Sequence, residues 1–108
     1  MKHYSFYYGT DKNKPEQWIL FDNRTPAKNI KHAIIQFHFS MILIKTYRSR
    51  RPEDLSWNLP TPKYIDTFVR RVIEYERKYN TDRGNTIVQY KKTRVYQTYE
   101  IVNRFRYG

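Results

Sequence analysis

A chain of 108 residues fits one compact domain, 1–108. It has 25 Leu, Ile, Val and Phe, together with 11 Tyr and two Trp, to build a core. It carries no cysteine, which excludes disulfides, thiolate zinc sites, iron–sulfur clusters and a cysteine nucleophile. The formal charge of +11, from 21 basic and 10 acidic residues, draws such a protein to polyanions.

In chain order, "HYSFYYG" (3–9) is an aromatic strand, "TDKNKP" (10–15) is turn chemistry, and "QWILFD" (17–22) is a second strand that closes an N-terminal hairpin. Thr25 and Pro26 then have the form of a cap followed by a first helical residue. The apolar segment behind them reads two ways. Residues 33–47 alternate as a strand would, with Ala33, Ile35, Phe37, Phe39, Met41 and Leu43 on one side. Ile30, Ile34, Phe37, Met41 and Ile44 also recur at helical steps. The start signal and the length favour a buried helix over about 26–47.

Residues 48–62 read as a Pro-rich linker with a short turn at "PEDLSW". A second Thr–Pro pair, Thr61–Pro62, opens "TPKYIDTFVRRVIEYERKYN" (61–80), where Ile65, Phe68, Val69, Val72 and Ile73 trace a helical stripe. Asp66–Arg70 and Glu74–Lys78 have ion-pair spacing on that helix. Gly84 is expected to end it in a left-handed conformation. Two final strands, "TIVQYKK" and "RVYQTYEIVNRFRY", are expected around a turn near 91–94. The fold class that follows is α+β, a small antiparallel sheet of an N-terminal and a C-terminal hairpin packed against one or two helices.

Few residues have a catalytic pattern. The three histidines, His3, His32 and His38, lack metal-ligand spacing, so His38 reads as a core or boundary residue. The carboxylates do not cluster by spacing, and three unclustered glycines form no phosphate-cradling loop. No metal or cofactor is expected. No apolar run approaches the ~20 residues that cross a bilayer, so a cytoplasmic protein without membrane contact is expected. In its Cys-free, Tyr- and Arg-rich composition the chain is similar to small proteins of phages, archaeal viruses and plasmids.

Two stretches point to a binding surface. The segment 45–51 holds Lys45, Arg48, Arg50 and Arg51 with no acid among them. On the last strand, alternation puts Tyr96, Thr98, Glu100, Val102, Arg104 and Arg106 on one face, with Lys91, Lys92 and Arg94 at the near turn. Cations that meet phosphates and rings that stack on bases are what single-stranded DNA or RNA requires. Nucleic acid is therefore the expected partner. An acidic protein partner, for a viral or plasmid-type inhibitor or assembly protein, is the alternative. A metal-independent ribonuclease using Tyr96, Tyr99, Arg104 and Arg106 is a third reading. An exposed last strand also offers an edge for a homodimer.

Overall fold

A computed structural model describes residues 2–49 and 60–107, with side chains at all of these except 22, 23, 42–49 and 107. The chain order is β1 (Lys2–Tyr8), a 3-10 turn (Pro15–Gln17), β2 (Ile19–Ala27), α1 (Ile30–Ser49), α2 (Pro62–Phe68), β3 (Val69–Asp82), β4 (Asn85–Gln97) and α3 (Thr98–Tyr107). The described strands form one antiparallel sheet in the order β2-β1-β3-β4. The protein is a small α+β domain. The expected turn at "PEDLSW" lies outside the described residues.

The N-terminal hairpin forms as the sequence indicates. Its register shifts between Tyr4 and Phe6, so that Thr25 and Phe21 are the flanking partners on β2. Arg24 sits in that irregularity with a φ of 44°. A bulge re-aims the side chain it carries, and this one turns Arg24 towards β3 and β4.

The helix over the apolar segment also forms, but Thr25 and Pro26 do not start it. Both lie inside β2, at its edge of the sheet, where a missing N–H is tolerated. Asn29 starts the helix instead. Its Oδ1 accepts from the His32 backbone N–H at 2.9 Å, and the His32 ring accepts from the Lys28 N–H at 3.3 Å, a reciprocal cap. Ile30, Ala33, Ile34 and Phe37 follow at helical spacing and are buried. The second Thr–Pro pair behaves as expected. Thr61 Oγ1 accepts from the Tyr64 N–H at 3.2 Å, with Pro62 in the first turn.

Two expected elements are corrected. The helix over 61–80 ends at Phe68, and Val69–Asp82 is a strand. The stretch contains no Ala or Leu and is rich in β-branched and aromatic residues, which suit a pleated surface. Glu74 lies inside, hydrogen-bonded. The expected ion pairs dissolve with the helix. Buried Arg70 donates from Nε to the Gly9 carbonyl at 2.8 Å and from a guanidinium nitrogen to the Thr67 carbonyl. That clamp ties the α2–β3 junction to the end of β1.

The C-terminal hairpin is β3–β4, and its turn lies at Arg83–Gly84 rather than near 91–94. Gly84 is left-handed, with φ 81°, but as a turn residue and not as a helix end. The expected last strand stops at Gln97, and residues 98–107 are helix. Thr98 Oγ1 donates to the carbonyls of Val69 and Arg70 at 2.6 and 3.0 Å, which fixes the change of direction. Glu100 in the first turn and Arg104 and Arg106 in the last complement the helix dipole. Ile101, Val102 and Phe105 face inward.

One face of the sheet carries the core. Tyr4, Phe6, Val72 and Tyr96 share it by register and pack with Ile30, Ile34 and Phe37 of α1, Ile65 of α2 and Ile101 of α3. Phe6 stacks on Phe37 at 4.5 Å between ring centres. Each such side chain contributes about 1.5–3 kcal/mol on burial.

Candidate nucleic-acid interface

The site is built outward from a buried knot. Glu74 lies on the core face and accepts from Tyr4 Oη at 3.0 Å, Thr93 Oγ1 at 3.0 Å, Tyr96 Oη at 3.3 Å and Lys2 Nζ at 3.2 Å. Burial pushes its carboxyl up. Hydrogen bonds from Tyr4, Thr93 and Lys2 outweigh that, and the group lies below the usual carboxylate range. Burial first, and then the bond to Glu74, raises the Tyr4 hydroxyl above the ordinary tyrosine value. The knot fastens β3 and β4 where they leave the body of the sheet.

Above the knot, on the opposite face, the register brings rings and cations together. Side chains at 71, 73, 75, 77 and 79 of β3 share this face with His3, Ser5 and Tyr7 of β1 and with Tyr90, Lys92 and Val95 of β4. Arg71 lies 5.7 Å from the centre of the Tyr7 ring and 5.4 Å from that of Trp18. Arg24 lies 4.9 Å from the centre of Tyr90 and 5.7 Å from that of Tyr75. Arg77 sits 4.8 Å from the centre of Tyr79. The His3 and Tyr90 rings meet edge to face at 5.3 Å, as do Tyr75 and Tyr90 at 6.4 Å. Among the described residues, no carboxylate pairs with Arg71 or Arg77. The result is a ladder of rings with guanidinium planes beside them.

The ladder runs off the body onto an arm. β1 pairs with β3 only as far as Glu76. Beyond it, β3 and β4 continue as a two-stranded ribbon to the Arg83–Gly84 turn, about 20 Å further. Residues 76–89 are all exposed. Residues 76–92 hold five cations, Arg77, Lys78, Arg83, Lys91 and Lys92, against Glu76 and Asp82. The molecule measures 52 × 31 × 31 Å, with a radius of gyration of 15.7 Å, where a compact chain of this length would have about 13 Å.

The residues singled out in the sequence fall into separate places. Lys91 and Lys92 lie exposed at the root of the arm, Lys92 on the ladder face and Lys91 on the other. Arg94 pairs with Glu100 at 3.4 Å and lies over Tyr96 at 4.4 Å. Tyr96 is 5% exposed, so its ring is a core residue and not a platform for a base. Arg104 also lies over that ring, 5.3 Å from its centre. Arg104 and Arg106 do not share a strand face, because both lie on α3, where residues two apart diverge. Tyr96, Tyr99, Arg104 and Arg106 therefore do not converge as one set, since Arg106 and Tyr99 line a cleft against α2. Lys45 and Arg48 belong to the C-terminal half of α1, and Arg50 and Arg51 lie outside the described residues.

Sequence reasoning missed Arg24, Arg71, Tyr75, Arg77, Tyr79 and Tyr90. The signal was present as the two-residue alternation Arg71, Ile73, Tyr75, Arg77, Tyr79, hidden by the helical reading. Among the described residues no group of three His, Cys, Asp or Glu is placed to hold a metal, and no helix is long and apolar enough to cross a membrane. His38 is 9% exposed and meets Tyr64 edge to face at 4.4 Å, as a core residue would. No protein-family model, curated protein or solved structure matches the chain.

Proposed function

We propose that this protein binds nucleic acid, single-stranded DNA or RNA in preference to duplex, on the ring-and-guanidinium face of the sheet and along the β3–β4 arm. The observation that carries this is the pairing on one face of Arg71 with Tyr7 and Trp18, Arg24 with Tyr75 and Tyr90, and Arg77 with Tyr79. A strand laid along it meets rings for its bases and cations for its phosphates at short intervals. Such contacts supply affinity with little sequence preference, since every base has a flat face. A cytoplasmic setting, the host's if the protein is viral, suits this role.

The test is a fluorescence-anisotropy titration with labelled single strands at several salt concentrations. Affinity should fall log-linearly with salt, with a slope of about 0.7 per phosphate neutralised. The double variant Arg77→Gln/Tyr79→Ala, at exposed positions, should weaken binding by about 1–3 kcal/mol at unchanged melting temperature. Unchanged affinity in that variant removes the arm from the reading.

A second reading follows from Ile87 and Val88, 43% and 45% exposed on the outermost of the described strands. An acidic protein, or a second copy forming a homodimer, would add a strand there. A shallow salt slope with a protein partner, and none with polynucleotide, decides for it.

A further inference from the structure

A cleft of about 330 Å³ lies between α2 and α3, on the side of the molecule away from the ladder. It arises from how these helices meet. Ile65 and Ile101, both fully buried, hold the two against each other. The neighbouring stripes then face across a gap, with Lys63 and Asp66 three apart on α2 and Tyr99, Asn103 and Arg106 at helical spacing on α3. Val102 lies at its apolar wall.

The lining combines three chemistries. Tyr99 is 67% exposed, a large ring without a core role. Asn103 and Asp66 offer a neutral amide and a carboxylate, which accept from amino groups and, for the amide, donate to ring nitrogens or carbonyls. Lys63 and Arg106 supply positive charge at the same cleft. A simple polyanion is poorly served by a wall that includes Asp66. A flat heterocycle with exocyclic amino groups and an attached phosphate uses every group present.

We propose that this cleft binds one nucleotide, its base against Tyr99 with the amino edge read by Asp66 and Asn103, and its phosphate between Lys63 and Arg106. The site is independent of the ladder. The same chemistry is offered by a free nucleoside monophosphate and by the phosphorylated end of a strand, and the experiment separates the two.

The probes are the four ribonucleoside 5′-monophosphates and their nucleosides, titrated into the full chain and followed by amide NMR shifts. Saturable shifts confined to α2 and α3, with a dissociation constant at or below about 1 mM, are expected for at least one monophosphate. Tyr99→Ala and Arg106→Gln should each weaken binding at least about tenfold, and the nucleoside should bind more weakly by a similar factor. Asp66→Asn should change the order of preference among the bases, a readout that loss of positive charge alone would not move. Displacement of the monophosphate by a short 5′-phosphorylated strand, but not by its unphosphorylated twin, identifies the ligand as a strand end. Failure of both strands to displace it identifies a free nucleotide. Absence of saturable shifts for all four monophosphates, or shifts that persist in Tyr99→Ala, overturns the proposal. Mononucleotide binding in a protein that ignores long strands would discard the ladder reading and keep this one.

Discussion

Four donors converge on the Glu74 carboxylate, from residues at positions 2, 4, 93 and 96. Removing its charge leaves buried hydroxyls with a weaker acceptor, so Glu74→Gln should cost about 1–3 kcal/mol at neutral pH. The same group makes the protein sensitive to acid. Its folded carboxyl holds a proton less tightly than the unfolded one. The stability it contributes is therefore complete above the unfolded value of about 4.3 and is lost as pH falls through the lower folded value. Chemical denaturation at pH 7 and pH 3 should show a smaller acid loss in Glu74→Gln than in the parent. Tyr4 and Tyr64 act on the other side. Burial raises Tyr4, with Glu74 adding to it, and burial alone takes Tyr64 up to about 12. Their contribution is intact below about pH 10 and declines as pH rises through their folded values, which the same denaturation series at pH 9 and pH 11 checks. None of this is legible in the sequence, because Glu74 gains its partners from strands far away along the chain.

At the scale of the element, the β3–β4 arm turns through Arg83 and Gly84, both with positive φ. Gly84 takes this conformation freely, while an arginine there costs about 1 kcal/mol. Arg83→Asn should therefore stabilise the protein by about 0.5–1 kcal/mol in thermal unfolding. The same change removes a cation from the tip of the arm and should flatten the salt slope of strand binding. Stabilisation with an unaltered slope would show that the tip is not in contact with the strand. Where local chemistry decides an element, the sequence is informative: the N-terminal hairpin, the helical periodicity of α1 and the Thr61–Pro62 start are all readable. Where two environments alternate along one segment it is not. Residues 69–82 are buried on both faces near the body, apart from half-buried Arg71 and Tyr75, and exposed on both in the arm, so no alternation of apolar inside and polar outside marks the strand. Residues 94–107 change from strand to helix at Thr98 without a Gly or Pro to mark it, and the hydroxyl bridge to Val69 and Arg70 that fixes the change is a tertiary contact.

At the scale of the whole molecule, charge and shape restrain one another. The segment Asn85–Tyr90 is an uncharged, β-branched stretch on the outer strand of the described sheet, a form that invites pairing. Lys91 and Lys92 and the register shift opposite Glu74–Tyr75 close that edge on one side. A net charge of +11 opposes the approach of a second copy, and this protection is screened at high salt, where the Debye length falls to about 3 Å at 1 M. Sedimentation velocity should therefore show a larger species at about 1 M salt than at 0.1 M, and Val88→Lys should abolish it. A species of constant size across that range would mean that the edge is closed by something other than charge.

The place of β1 in the sheet has a consequence for how the chain reaches its fold. β1 is the first strand in sequence and yet sits between β2 and β3, and its Tyr4 hydroxyl bonds a carboxylate 70 residues later. The N-terminal hairpin can form early, but its inner strand has an open side until β3 arrives, and β3 is fastened only when Thr93 and Tyr96 follow. Closing loops of that length before any contact rewards them makes for slow, late consolidation. An emerging chain would thus remain without a finished core until nearly all of it is available, and its folding would be a single concerted event rather than the growth of one half upon the other.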